Sequence, residues 1–297
     1  MSVIVTEQLT KRYGRRVGIE ALTLSVPEGT LFGFLGPNGS GKTTTIRVLV
    51  GLLRPSEGGA RVFGLDCWRA SHRVKTDVGY LPGDLRLYPW LTCSVALQIF
   101  GRVRGRDLTR TGGELAAEFG LEPDVNVRRM SRGMRQKLGL ILALAHRPKL
   151  LILDEPTASL DPLMQDKLYQ HLRDLASAGH TVFFSSHTLS EVEQLCDRVA
   201  ILREGKLVAD ETLEALRARA RRVVTMRWLE AAKLDEITVP AFLDVYERRD
   251  RQWYASLAGP VMELVRWSAD QPIEDLSIGQ PDLTRLFQQY YELEPGM

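Results

Sequence analysis

The stretch Leu31-Phe32-Gly33-Phe34-Leu35-Gly36-Pro37-Asn38-Gly39-Ser40-Gly41-Lys42-Thr43-Thr44 decides the fold. Its first half is an apolar run of strand length, expected over residues 30–35 and buried on both faces. Its second half matches the phosphate-loop pattern G-x-x-x-x-G-K-[ST], and a helical pattern follows over residues 43–53, ahead of Pro55. Strand, glycine-rich turn and helix in that order build an anion site. Glycines let backbone N–H groups wrap a phosphate without Cβ collisions, and the helix N-terminus adds partial positive charge. Lys42 is placed to reach β- and γ-phosphates, and the Thr43 hydroxyl to ligate magnesium. Gly36, Pro37, Asn38, Gly39, Ser40, Gly41, Lys42, Thr43 and Thr44 are therefore the candidate nucleotide-binding residues.

Outward from this segment, short apolar runs alternate with helical patterns. Strands are expected over residues 3–9, 19–26, 61–63, 78–81, 150–153, 181–185 and 199–203, with helices over 163–176 and 189–195. That rhythm is an α/β fold. Between about residues 85 and 147 the strand signals vanish and helical periodicity takes over (Val95, Ile99 and Val103; Leu138, Ile141, Leu142 and Ala145), which reads as an inserted helical subdomain. Residues 1–215 form the expected first domain. Residues 216–297 read as a small α+β domain, with an arginine-rich helix over 213–222, a strand over 223–228, a hairpin over 242–247 and 253–257, and helices over 261–269 and 282–291.

Composition narrows the function. The 297 residues carry 39 Lys and Arg against 37 Asp and Glu, a net charge of +2, too balanced for a nucleic-acid binder, so no nucleic-acid partner is expected. The longest apolar run, 138–145, falls far short of the roughly 20 residues that cross a bilayer. The first residues show no secretory pattern. Cys67, Cys93 and Cys196 lie far apart, as reduced thiols of a cytosolic protein would.

A second chemical feature is Leu150-Leu151-Ile152-Leu153-Asp154-Glu155, a buried strand delivering two carboxylates at its C-terminal end, where ligands sit in parallel sheets. Asp154 suits a magnesium shell, and Glu155 suits a base or water-positioner for attack on a γ-phosphate. A third is Met130-Ser131-Arg132-Gly133-Met134 before an apolar helix, where Ser131 and Gly133 offer another helix N-terminus to an anion.

Together these residues resemble the ATP-binding cassette (ABC) family, with Ser131 and Gly133 at the Ser and second Gly of its LSGGQ signature. Asp154-Glu155-Pro156-Thr157 and then Ser159-Leu160-Asp161 look like its Asp-Glu-Pro-Thr run and D-loop, His187 like its switch histidine, and Tyr13 like the aromatic that stacks on adenine. The resemblance covers residues 1 to about 210. It implies a P-loop NTPase cassette, ATP and Mg2+ as ligands, and catalysis by Lys42, Glu155 and His187. Tyr13, the phosphate loop, Ser131, Gly133 and Asp161 would contact nucleotide, and Thr43 and Asp154 the metal. One departure stands out. In Gly79-Tyr80-Leu81-Pro82-Gly83-Asp84, Gly83 replaces the family's Q-loop glutamine, leaving Asp84 as a substitute oxygen ligand.

Within the family, the segment 79–92, the divergent signature and the C-terminal extension are similar to ATPase subunits of drug and antibiotic exporters. That implies a separate transmembrane permease, a second copy of the cassette joined by ATP, and a place on the cytoplasmic face of the membrane. Leu85, Leu87, Tyr88, Trp90 and Leu91 are the expected permease contact, the alternative being that they fill the subdomain's own core. Rival readings are a soluble cassette protein of the ribosome or of DNA repair, and a non-hydrolysing switch, for which Gly83 is the only support.

Overall fold

The computed structural model describes residues 1–284 and 286–287, and forms two compact units that meet in sequence at Thr212 and Leu213. In the first unit a six-stranded sheet runs Lys206–Thr212, Arg198–Arg203, Leu31–Leu35, Thr181–Ser186, Leu150–Asp154, Val78–Leu81 across its width. All neighbours are parallel except the first pair. Leu31–Leu35, Leu150–Asp154 and Thr181–Ser186 are buried at every residue, which is why they read as continuous apolar runs without alternation.

Antiparallel strands Arg16–Pro27, Ser2–Tyr13, Glu57–Val62 and Leu65–Asp66 make a second sheet. Helix Lys42–Leu49 touches both sheets, and Ile46 and Leu49 share one core with Ile4, Leu9, Phe32, Phe34, Ile152 and Phe183. This helix is shorter than the expected 43–53. Gly51 takes a left-handed φ of 64°, and the Leu52 N–H reaches back to the Arg47 carbonyl at 2.8 Å, so a glycine cap ends the helix well before Pro55.

Residues 84–147 hold no strand, as the periodicity implies: helices Cys93–Arg104, Thr109–Glu118 and Arg132–Leu144 fill the insertion. Thr92 and Ser131 cap the first and third by accepting from the N–H of Val95 and Met134. Leu91 is buried, but Tyr88 and Trp90 are 70% and 56% exposed and stack at 5.9 Å, so this aromatic pair does not belong to the subdomain's core.

The second unit is an antiparallel sheet ordered Leu243–Arg249, Gln252–Leu257, Arg222–Trp228, Ile273–Pro281, with helix Val261–Ala269. Its core gathers Val224, Met226, Trp228, Trp253, Ala255 and Leu264, with the rings of Trp228 and Trp253 edge-on at 4.9 Å. The helix before it stops at Arg219, because Arg222 already pairs with Leu257 and Pro281. Strand Ile273–Pro281 is absent from the sequence reading. The helix expected over 282–291 is helical at 283–284 and 286–287 and otherwise lies outside the described residues.

Candidate active site

Strand Leu31–Leu35 sits between Thr181–Ser186 and Arg198–Arg203 and delivers the glycine-rich loop to the C-terminal edge of the sheet. Gly36 is obligatory: a Cβ there would lie 2.4 Å from the Leu202 carbonyl oxygen. Gly39 and Gly41 hold φ of 83° and 105°, and Gly41 caps helix Lys42–Leu49 with no side-chain bond, so the helix's first N–H groups are left without a side-chain acceptor. Pro37, Asn38 and Gly39 are exposed, Thr43 and Thr44 half-buried, and Ser40 is buried with an Oγ that has no partner.

Lys42 is buried, and its ammonium donates to the carbonyls of Gly36 at 2.7 Å and Pro37 at 3.2 Å. It also lies 3.4 Å from Glu155 Oε1, while Glu155 Oε2 lies 3.4 Å from His187 Nδ1. One carboxylate therefore bridges the phosphate-loop lysine and the histidine that follows strand Thr181–Ser186. Glu155 reaches this position through a left-handed φ of 49°, fixed by its N–H donating to Ser185 Oγ at 3.1 Å and to the Ser185 carbonyl at 3.2 Å.

That turn sends neighbouring Asp154 elsewhere. Its Oδ1 accepts from Ser185 Oγ at 2.7 Å, and its Oδ2 is buried with no partner. A buried carboxylate oxygen left open, near a phosphate loop that offers the Thr43 hydroxyl, is a donor set that fits a hard divalent cation such as magnesium. Burial, and then the Asp154 carboxylate, push the Tyr80 phenol up to about 12, so it stays protonated.

Gly83 borders the same oxygen: a Cβ there would sit 3.3 Å from Asp154 Oδ2. Asp84 does not join the group. Both carboxylate contacts go to Arg86, at 2.9 and 3.0 Å, with the Asp84 side chain 65% exposed. At the other end, Gly18 brings Tyr13 and Thr44 together, since a Cβ on it would lie 3.0 Å from the tyrosine ring and 3.4 Å from Thr44 Cγ2.

Ser131 and Asp161 each cap a helix, Asp161 Oδ1 accepting from the Met164 N–H at 3.0 Å. Among the described residues none of their hydrogen bonds reaches Lys42, Glu155 or His187. Gly133 is nonetheless tied to the D-loop segment: its missing Cβ would lie 2.8 Å from the Ser159 carbonyl oxygen, and Ser159 itself has a φ of 73°. One turn further, Gln136 donates to the Pro156 carbonyl at 2.9 Å, binding the signature helix to the turn after Glu155.

The sequence reading missed Ser185, which orients both carboxylates, and Thr157, Ser186 and Glu191, which link the walls of the site. Both oxygens of Glu191 are engaged, one by Thr157 Oγ1 at 2.6 Å and the other by a short bond from Ser186 Oγ.

The ABC transporter family model matches residues 19–158. The bacitracin transport ATP-binding protein BcrA of Bacillus licheniformis is 38% identical over 224 residues, spanning 74% of this chain and 73% of its own length. This chain belongs to the ABC transporter family. The cassette is also 32% identical over 222 residues to the linearmycin resistance ATP-binding protein LnrL of Bacillus subtilis, covering 73% of this chain and 71% of that one. A solved ATP-binding subunit of an ABC transporter superposes with a TM-score of 0.69 at 28% identity, over 73% of this cassette's chain and 93% of its own. The dimeric cassette MJ0796, 23% identical with a TM-score of 0.64, shares the fold.

Proposed function

We propose that this chain is the ATP-hydrolysing subunit of an exporter, driving a separate membrane-spanning permease from the cytoplasmic face of the membrane. The relatives named for bacitracin transport and linearmycin resistance support the exporter reading. No helix among the described residues is long and apolar enough to cross a membrane, consistent with the membrane path lying in another chain. Residues 1–215 act as the nucleotide-binding domain and 216–297 as an accessory domain.

The observation that carries the mechanism is the Glu155 bridge between Lys42 and His187. Lys42 donates to the loop's own carbonyls. A γ-phosphate offers its ammonium a better partner, which frees Glu155 Oε1 to accept the proton of an attacking water while His187 takes up the phosphate oxygen. Magnesium, held by Asp154 and Thr43, would neutralise charge on the β- and γ-phosphates. Tyr13 stacks on adenine. Ser131, Gly133 and Asp161 make no bond to the hydrolytic group of their own chain, so they act on ATP held by a second copy of the cassette, in a homodimer that ATP closes.

Phosphate release from the purified chain, with and without magnesium, tests the reading. Glu155→Gln should bind ATP, dimerise in its presence by light scattering and release almost no phosphate; near wild-type turnover would refute the role of Glu155. Tyr88→Glu and Trp90→Glu should keep hydrolysis and stability but lose co-purification with the permease.

A further inference from the structure

Two segments carry the hydrolytic side chains: the turn 155–158, which follows strand Leu150–Asp154, and the loop 186–188, which follows strand Thr181–Ser186. Their direct contact is the Glu155–His187 pair at 3.4 Å, at a face where His187 is 52% exposed. Behind it lies a stronger connection. Thr157 Oγ1 donates to Glu191 Oε1 at 2.6 Å, and Ser186 Oγ donates to Glu191 Oε2. Ser186 Oγ also accepts from the Thr188 N–H at 2.8 Å, so His187 stands at the apex of a turn closed by the hydroxyl that Glu191 holds. Thr157 is 5% exposed and Ser186 1%, so water cannot readily replace either bond.

Chain geometry explains why a third residue is needed. Asp154 and Ser185 still pair across the sheet, but past them the two strands leave the ladder. Glu155 departs with a left-handed φ and Ser186 enters its turn, so no backbone hydrogen bond links the two segments beyond that from the Glu155 N–H to the Ser185 carbonyl. Glu191, on helix Leu189–Leu195, closes the gap with one charged group accepting from both sides.

We propose that Glu191 is a positioning residue for hydrolysis: by accepting from Thr157 and Ser186 together, it fixes the separation of Glu155 and His187. The proposal rests on the hydrolase reading above. With one oxygen engaged by Thr157 and the other by Ser186, Glu191 acts through the two segments. Without it the turn carrying Glu155 and the loop carrying His187 relax independently, which affects the chemical step and not ATP capture by the phosphate loop.

The test is steady-state kinetics on the full chain, with fluorescent-nucleotide affinity and Tm measured alongside. Glu191→Ala and Thr157→Val should each lower kcat by on the order of tenfold or more, since misplacement by about 1 Å costs up to ~10²-fold, while KM and nucleotide affinity stay within about twofold. Thr157→Ser, which keeps the hydroxyl, should restore kcat. The double variant should be no slower than the slower single one, because both break the same link. If Glu191→Ala does not fold, the Thr157→Val and Thr157→Ser pair decides alone. Wild-type kcat in Thr157→Val, a lowered Tm with unchanged kcat per folded molecule, or losses that multiply in the double variant would each overturn the proposal. A wild-type chain that binds nucleotide but releases no phosphate overturns the hydrolase reading along with it. A hydrolysing wild type beside equally fast variants overturns this proposal alone.

Discussion

The two units of this chain use polar groups in opposite ways. Among the described residues, every buried charged or hydrogen-bonding Ser, Thr, Gln, His, Lys or Asp side chain except Ser256 lies in the first unit. Seven of the eight non-glycine residues with positive φ lie there too, Asp250 being the exception. The second unit is built around three tryptophans, with Trp228 4.9 Å from Trp253 and 6.3 Å from Trp267, and the Arg248 guanidinium 4.0 Å above the Trp253 ring. Buried polar atoms and strained backbone cost stability and mark where a fold holds chemistry; close aromatic packing gives stability and little else. The first unit thus holds the buried polar groups around the proposed hydrolytic site, and the second is built on aromatic packing.

The largest effect should come from Lys42→Ala, which removes the cation from the phosphate loop and one of the two groups that the Glu155 carboxylate bridges. Hydrolysis should fall by at least about 100-fold. Phosphate release by purified protein checks it, and a smaller loss would weaken the assignment of chemistry to the first unit. Next, Trp253→Ala should destabilise the second unit by about 3–5 kcal/mol, with phosphate release at 25 °C unchanged. Denaturant unfolding followed beside activity distinguishes the outcomes: a joint loss would mean that the two units are one cooperative block.

The smallest effect is a pH slope. His146 is 5% exposed, with Nε2 against the Val78 carbonyl at 3.2 Å. Burial first, and then the Arg104 guanidinium, lower it to about 4. The unfolded imidazole takes up its proton near 6.5, so between about 6.5 and 4 the unfolded state binds more protons than the folded one. Stability from this residue is full above about 6.5 and is lost as pH falls through the folded value. Tm measured from pH 7 to pH 4 should therefore decline less steeply in His146→Gln than in wild type, and equal slopes would show that His146 takes up its proton over the same pH range folded as unfolded.

Legibility in the sequence followed burial. The all-buried strands and the phosphate loop announce themselves because an apolar run and a glycine pattern are local signals. The strands Lys206–Thr212 and Ile273–Pro281 do not, since both lie at sheet edges, are half-exposed, and carry mixed acidic and apolar residues. Within the site, Lys42, Asp154 and Glu155 are legible from their own motifs and His187 only from the family resemblance, and the structure brings Lys42, Glu155 and His187 together. Ser185, Ser186 and Glu191 were invisible for a different reason. The two serines sit at the end of a phenylalanine-rich strand that reads as core, and the distant partners, Asp154 for Ser185 and Thr157 for Glu191, arrive from about thirty residues away. Asp84 is the converse case: the sequence offers a carboxylate next to Gly83, and in the structure that carboxylate pairs at the surface with Arg86, two residues on.

The left-handed backbone at Glu155 has a consequence for mutational drift. A non-glycine residue in that conformation costs on the order of 1 kcal/mol or more, so glycine or asparagine at position 155 should yield a hardier and inert protein. A screen rewarding only expression or heat resistance would therefore drive this position away from glutamate. A lineage that lost its substrate would be expected to shed this carboxylate early, well before Gly36 of the phosphate loop, whose replacement would collide with the Leu202 carbonyl and damage the fold itself.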